Sequence, residues 1–212
     1  MEGQPETRSA RKRQAILEAA TAAFLRSGYL GTSMDEIAAQ AGVSKQTVYK
    51  HFADKPALFA EIVTSRVDAA GDPVELQVAT LPDGDDLEAD LRALARRQLS
   101  AVMRPELMQL RRLVIGEATR FPGLGRTFYE RGQGRTVAAL ASVFERLAAR
   151  GALKLDDPER AASHFNWLVM SAPVNRAMLL GDGEIPPPAE LDRHADEGVR
   201  AFLAAYGGTG SR

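Results

Sequence analysis

The chain has 212 residues, 45% of them hydrophobic and 26% charged, which is enough for one large or two modest domains with their own cores. The absence of cysteine excludes disulfide bonds, thiol catalysis and cysteine-bound zinc. No stretch reaches the roughly 18 apolar residues of a membrane span, and the polar first residues lack a signal-peptide core, so we expect a cytoplasmic protein. A net charge of −1 argues against a protein that coats nucleic acid indiscriminately.

Helical periodicity runs through almost the whole chain, and no stretch keeps the two-residue alternation of a half-buried strand. The pattern therefore predicts an all-α fold. Gly28 is the expected end of the first helix, and the residues from 71 to 86, rich in Asp, Pro and Gly, are expected to form a loop. The longer predicted helices span residues 11–27, 55–70, 86–103, 105–120, 123–150, 158–181 and 189–206.

Two short helices are predicted between the first helix and residue 55. Ser33 and Glu36 have the spacing of a capping box, which marks a helix that Gly42 ends. Ser44 is the expected N-cap of the next helix. Two short helices joined by a tight turn that contains glycine are typical of a helix-turn-helix, with the second helix as the recognition helix.

A helical wheel places Val48 and Phe52 of the second short helix on the side that faces the core. The residues on the opposite side and its flanks are Gln46, Thr47, Tyr49, Lys50 and His51. Amide and lysine side chains can read base edges in the major groove, and hydroxyl and ammonium groups suit phosphates. The alternative is a solvated helical hairpin whose lysines only keep the protein soluble.

Positive charge is concentrated near the N-terminus. Residues 1–55 carry eight Lys or Arg against six Asp or Glu, whereas residues 56–212 carry nineteen against twenty-two. The first cluster consists of Arg8, Arg11, Lys12 and Arg13. It is either an arm that contacts the minor groove or phosphates, or a solubilising tail.

Four segments resemble the N-terminal DNA-binding domain of tetracycline-repressor (TetR) family regulators: GTSMDEIA at 31–38, AGVS at 41–44, TVYKHF at 47–52 and DKPAL at 54–58. The resemblance covers about residues 9–60. It implies a homodimeric transcriptional regulator, usually a repressor that a small ligand releases from its DNA operator. It also implies three regions: a flexible tail at 1–8, the DNA-binding domain at 9–60, and a helical ligand-binding and dimerisation domain at 61–212.

The resemblance also implies which residues contact double-stranded DNA. They are Ser33, Met34, Lys45, Gln46, Thr47, Tyr49, Lys50, His51 and Lys55. The division of these residues between bases and phosphates stays open. His51 has two interpretations, a phosphate contact or a packing residue beside Phe52.

In the second half of the chain, polar or aromatic residues on otherwise apolar stripes are candidates for effector binding. They are Glu117, Phe128, His164, Trp167, Ser171 and Asn175. Each has an alternative role: Glu117 in an ion pair with an arginine, His164 in the core or an interface, and Trp167 in core or dimer packing. The identity of the effector does not follow from the sequence.

Dimerisation is expected through the last two helices, whose apolar stripes are broad enough to pack against a second copy. Pro173 is expected to bend the helix that contains it, because proline frees a backbone carbonyl one turn earlier. Two roles are open for this expected bend: it lines a pocket, or it shapes the dimer interface. The helix that starts at Lys55 is the expected lever between the two domains.

Two other classes of function are alternatives to a ligand-gated regulator. An enzyme is disfavoured because the three histidines lie far apart at 51, 164 and 194, and no nucleotide-binding loop or metal-ligand spacing occurs, so we expect no catalytic residue, metal or cofactor. An architectural DNA-binding protein without a ligand would share the first domain but lack a cavity in the second.

Overall fold

A computed structural model describes residues 8–81 and 86–208, and within these ranges all regular structure is helical. The predicted all-α fold is confirmed. Leu153 and Gly207 form an isolated antiparallel bridge. The helices are α1 (Arg8–Gly31), α2 (Met34–Gln40), α3 (Lys45–His51), α4 (Lys55–Thr80), α5 (Leu87–Val102), α6 (Pro105–Glu117), α7 (Pro122–Tyr129), α8 (Arg135–Ala149), α9 (Pro158–Leu180) and α10 (Pro188–Tyr206).

Most predicted helix boundaries agree with the structure because local capping groups set them. Asp86 accepts a hydrogen bond from the Ala89 amide at the start of α5, and Asp157 accepts one from the Arg160 amide at the start of α9. At Gly28 the backbone leaves the helical conformation (φ 73°, ψ 170°), and helical structure then resumes as far as Gly31. The predicted tail at 1–8 lies outside the described residues except for Arg8, which is helical.

The predicted loop over residues 71–86 is wrong for its first ten residues, because α4 continues to Thr80. Pro73 lies inside this helix, where proline costs about 3 kcal/mol. Val74 and Val78 are both buried, and full burial of such a side chain contributes about 1.5 to 3 kcal/mol. The apolar stripe therefore offsets the unfavourable proline.

The segment predicted as one helix over residues 123–150 is interrupted by a π-helical turn, Glu130–Gly134, between α7 and α8. Two glycines in this turn lower its α-helical propensity. The turn and α8 are also paired with α4: Arg131 lies 2.8 Å from an Asp68 carboxylate oxygen, and Arg135 lies 2.8 Å from one of Asp72. These ion pairs orient the two arginines toward α4. Their partners lie 63 positions away in sequence, so no local pattern predicts them.

The chain divides into two compact units. Unit 1 comprises residues 8–66 and 110–125 of the described chain, and unit 2 comprises its residues 67–109 and 126–208. Unit 1 is built around an apolar core that includes Ile16, Phe24, Ile37, Val48 and Phe59.

In unit 2, α9 packs against α8 and α10, and α10 packs against α5. Phe144, Phe165 and Phe202 lie at the centre of this unit, with ring centroids 5.1 to 5.8 Å apart. Helix α9 continues through the buried Pro173, and the bend expected there stays a prediction. No helix within the described ranges is long and apolar enough to cross a membrane.

Candidate nucleic-acid interface

Helices α2 and α3 form the predicted helix-turn-helix. The Ser33 hydroxyl accepts a hydrogen bond from the Glu36 amide at 3.1 Å, and the Ser44 hydroxyl accepts one from the Thr47 amide at 3.2 Å. Gly42, in the turn, has φ 63°, a left-handed conformation that glycine adopts without a Cβ clash. The Glu36 carboxylate accepts from Arg26 at 2.8 Å, an ion pair that the capping-box pattern did not predict.

The two faces of α3 agree with the helical wheel. Val48 is fully buried and Phe52, just after the helix, is 5% exposed. Gln46, Tyr49 and Lys50 are exposed on the other side, where they are available to a partner molecule. Thr47 and His51 are half-buried, and the Thr47 hydroxyl is 2.9 Å from that of Ser44.

The other predicted DNA contacts differ in accessibility. Ser33 is exposed, whereas Met34 is 7% exposed and contributes its side chain to the core, which leaves mainly its backbone for a contact. The Lys45 ammonium lies 2.8 Å from an Asp35 carboxylate oxygen. This hydrogen-bonded pair raises the pKa of Lys45 above its ordinary value, so the lysine is charged at neutral pH.

Lys55 is directed into unit 1. Its ammonium donates a hydrogen bond to the Thr32 backbone carbonyl at 2.5 Å and lies 4.5 Å from the centre of the Tyr29 ring. Burial lowers the pKa of Lys55 below its ordinary value, and the nearby Glu117 carboxylate opposes this shift. The ammonium is therefore already engaged by the protein.

The basic residues near the N-terminus lie on a helix and not on an extended arm. Arg8, Arg11, Lys12 and Arg13 all belong to α1. Arg13 pairs with Glu61 at 2.7 Å and lies over the Phe52 ring, 5.2 Å from its centre. This arginine therefore supports the packing of α1 against the start of α4.

The six predicted effector residues are divided between the two units. Glu117 belongs to unit 1 and the other five belong to unit 2. Glu117 and Phe128 are half-buried. The four residues on α9 are exposed on one face of that helix: His164, Trp167, Ser171 and Asn175.

The exposed face of α9 is rich in large apolar side chains. Trp167 is 46% exposed, and Leu168, Leu179 and Leu180 are exposed as well. At one end of this face, His164 Nδ1 lies 2.6 Å from the Tyr206 hydroxyl of α10. Exposed large apolar side chains grouped on one helix are typical of a protein interface.

A polar pair lies inside the apolar core of unit 2. Gln98 of α5 donates a hydrogen bond from Nε2 to Asn166 Oδ1 of α9 at 3.0 Å, and the two residues are 5% and 3% exposed. The Gln98 Oε1 atom is buried without a hydrogen-bond partner among the described residues. An unmet buried acceptor is costly, which makes it a candidate ligand contact.

A surface depression of about 450 Å³ lies along the first turns of α5. Four of its charged residues have partners within the protein: Arg92 pairs with Glu88, Arg96 pairs with Asp196 of α10, and Asp86 accepts a hydrogen bond from the Ala89 amide. The depression is open and its charges are balanced, so it offers little to an apolar ligand.

Sequence reasoning missed Asp35, Thr32 and the Gln98–Asn166 pair. Asp35 and Thr32 act through partners that are distant in sequence, and no local pattern signals such partners. The Gln98–Asn166 pair could have been identified from the sequence, because both polar residues interrupt apolar helical stripes.

Two family profiles match the chain. Residues 16–62 match the profile described as bacterial regulatory proteins, tetR family. Residues 89–208 match the profile described as AefR-like transcriptional repressor, C-terminal domain. Together these profiles cover the helix-turn-helix and most of unit 2.

Solved structures and curated relatives agree with these profiles. A protein from Mesorhizobium loti described as a TetR-family transcriptional regulator is 50% identical, with a TM-score of 0.87 over 95% of this chain and 100% of that one. The flavonoid-responsive regulator FrrA is 34% identical, with a TM-score of 0.75 over 93% and 97% of the two chains. The HTH-type transcriptional repressor SCO4008 of Streptomyces coelicolor is 33% identical over 106 residues, and the chain spans about half of its length.

Proposed function

Because the chain belongs to the tetR family of bacterial regulatory proteins, we propose that it is a repressor that binds a palindromic operator as a homodimer and is released by a small ligand. The observation that carries the proposal is the exposed face of α3, where hydrogen-bonding and cationic side chains stand opposite the buried Val48. A protein that binds an operator acts where the DNA is, so the proposal includes a cytoplasmic location.

In this proposal α3 enters the major groove. Gln46 and Lys50 read base edges, since an amide pairs with adenine and a lysine with guanine. Thr47 offers a methyl group to thymine. The phosphate contacts are Ser33, the Met34 backbone, Lys45, Tyr49 and His51.

The exposed face of α9 supports dimerisation. Trp167 and its leucine neighbours would be covered by the same face of a second copy, together with α10. Two recognition helices about one helical turn of DNA apart would then read the two half-sites of a palindrome. We assign the four predicted effector residues on α9 to this interface.

We place the effector in unit 2, at the Gln98–Asn166 pair. A ligand with an apolar body and a hydrogen-bond donor would satisfy Gln98 Oε1. Hydroxylated aromatic compounds have this chemistry, and the relative FrrA is named as flavonoid-responsive. The continuous α4, which starts in unit 1 and ends in unit 2, supports its role as a lever.

The primary test is selection of bound sequences from a random duplex pool by the purified protein at a stated salt concentration. Enrichment of a palindrome with half-sites about 10 base pairs apart supports a dimeric operator reader. Retention of DNA without an enriched motif contradicts it and favours the architectural alternative.

Effector release is tested with the selected operator as a labelled duplex. A polyhydroxylated flavonol is expected to release the DNA at lower concentration than unsubstituted flavone. The Gln98→Leu variant should lose about tenfold in flavonol response, the scale of one buried hydrogen bond. Equal responses of Gln98→Leu and the wild-type protein contradict this site.

A further inference from the structure

Lys55 links three parts of unit 1. It lies at the start of α4, its ammonium contacts the Tyr29 ring near the end of α1, and it donates to the carbonyl of Thr32 just before α2. Tyr29 and Thr32 are only 5% and 3% exposed. The lysine therefore holds the connection between α1 and α2 against α4.

This connection sets where the helix-turn-helix begins. Thr32 precedes Ser33, the N-cap of α2, and the Thr32 hydroxyl donates to the Gly28 carbonyl at 2.9 Å. Since α2 packs on α3, a shift of Thr32 moves the recognition helix as well. A change at the Lys55 ammonium is thus transmitted to α3 through the protein.

The end of α6 reaches the same place within unit 1. The Phe121 ring packs edge-on against Tyr29, with centroids 5.1 Å apart, and Tyr29 also contacts Phe24 and Phe59. The Phe121 amide donates to the Glu117 carbonyl at 2.8 Å. Helix α6 itself starts at Pro105, a residue of unit 2.

We propose that Lys55 is a positioning residue for operator binding and not a phosphate contact, and that Phe121 controls this position from the turn that follows α6. The inference rests on the proposed function, because it concerns how the operator is bound. The ammonium acts by holding the Thr32 carbonyl and the Tyr29 ring.

The test is the salt dependence of operator binding by Lys55→Met, which keeps the length of the side chain and removes its charge. Operator affinity is expected to fall about tenfold, while the slope of log K against log[salt] stays within about 0.3 of the wild-type slope. A phosphate contact made by both protomers would instead reduce the slope by about 1.8, about 0.9 for each lost contact, and weaken random duplex equally. That result, or unchanged operator affinity, overturns the inference.

Lys45→Met is the matched control, since this exposed lysine is a proposed phosphate contact of both protomers and its loss should lower the slope by about 1.8. Lys55→Arg keeps the charge, and it tests the positioning role of Lys55 if Lys55→Met does not fold. Loss of operator affinity in Lys55→Arg supports positioning, because a guanidinium does not fit the geometry that the ammonium occupies. Full retention of operator affinity in Lys55→Arg contradicts the positioning role.

A double-mutant cycle tests the role of Phe121. Phe121→Ala should weaken operator binding about fivefold in the wild-type background and less than about twofold in Lys55→Met, because contacting residues couple. Ile115→Ala, at an exposed position of α6, the helix before Phe121, should have no effect in either background. Equal losses in both backgrounds contradict the coupling.

The two proposals fail in different ways. A wild-type protein that enriches no palindrome overturns both the operator function and this inference. A wild-type protein that enriches one, together with a reduced slope in Lys55→Met, overturns the role of Lys55 alone.

Discussion

Lys45, the first residue of the recognition helix α3, is paired with Asp35 of α2, its ammonium 2.8 Å from a carboxylate oxygen. Both side chains are more than half exposed, so the pair adds little to stability. Its effect lies in the electrostatics of the proposed DNA interface. Asp35 places a negative charge beside a lysine that is expected to contact phosphate.

Replacement of Asp35 by asparagine should therefore strengthen DNA binding. We expect affinity for operator and random duplex to rise by a similar factor, about 2- to 10-fold at low salt, because one repulsion is removed and Lys45 is freed. Fluorescence anisotropy at two salt concentrations measures this. Glu190→Gln, an exposed carboxylate of α10, is the control. A gain restricted to the operator would contradict an electrostatic cause.

Gln46→Ala and Lys50→Ala should relax specificity at one or two base positions each. A lost base contact costs about 1 to 3 kcal/mol on the selected sequence and little on sequences already mismatched there. Binding to operators with single base changes provides the measurement. If both variants lose the same affinity on operator and random duplex, these side chains do not read bases.

Trp167→Asp should convert the dimer to a monomer. A charge buried in an apolar interface is strongly unfavourable, and loss of the second recognition helix should abolish specific operator binding. Sedimentation velocity gives the oligomeric state. Leu76→Asp provides a matched control, because Leu76 is an exposed leucine of α4 outside the α9 face. A Trp167→Asp dimer would place the interface elsewhere.

Stability should depend on pH through Asp196. Arg96 donates hydrogen bonds to both of its carboxylate oxygens, and this lowers the pKa of Asp196 below its ordinary value of 3.8. A group with a depressed folded-state pKa stabilises the fold above its unfolded-state pKa, and this contribution is lost as pH falls through the folded-state pKa.

Asp196→Asn should therefore lower the free energy of unfolding at pH 7 by about 0.5 to 1 kcal/mol, as expected for a largely exposed pair. The difference from the wild-type protein should shrink as pH falls below the ordinary carboxylate pKa of 3.8, and it should disappear once the pH is below the folded-state pKa. Urea denaturation at several pH values provides the comparison, with Glu145→Gln, an exposed carboxylate of α8, as the control. A difference that persists at low pH would mean that the ion pair is not its source.

The fold could be predicted from the sequence where local signals act alone. Ser33, Ser44 and Asp157 cap their helices as expected because an N-cap needs only its own next turn. The error at 71–86 arose because Pro73 is a local signal for a break, whereas the burial of Val78 is a tertiary effect. Only the folded chain shows which of the two is stronger.

The candidate site could also be predicted only where local signals act alone. The exposed face of α3 could be predicted, since Val48 fixes the rotation of a short helix about its axis. The engagement of Lys55 by Thr32 could not, because it joins residues 23 positions apart. The stripe of α9 that carries His164, Trp167, Ser171 and Asn175 was predicted from helical spacing, but spacing does not tell whether that stripe is covered by the same chain.

The π-helical turn Glu130–Gly134 has a consequence for sequence comparison. A π turn is an α-helix with one residue inserted, and each residue of an α-helix advances by about 100°. Deletion of one residue here would leave an unbroken helix but turn Arg135 away from Asp72, or Arg131 away from Asp68. A relative one residue shorter at this point would therefore need an arginine at a neighbouring position to keep both ion pairs with α4, and an alignment without a gap would hide the equivalence.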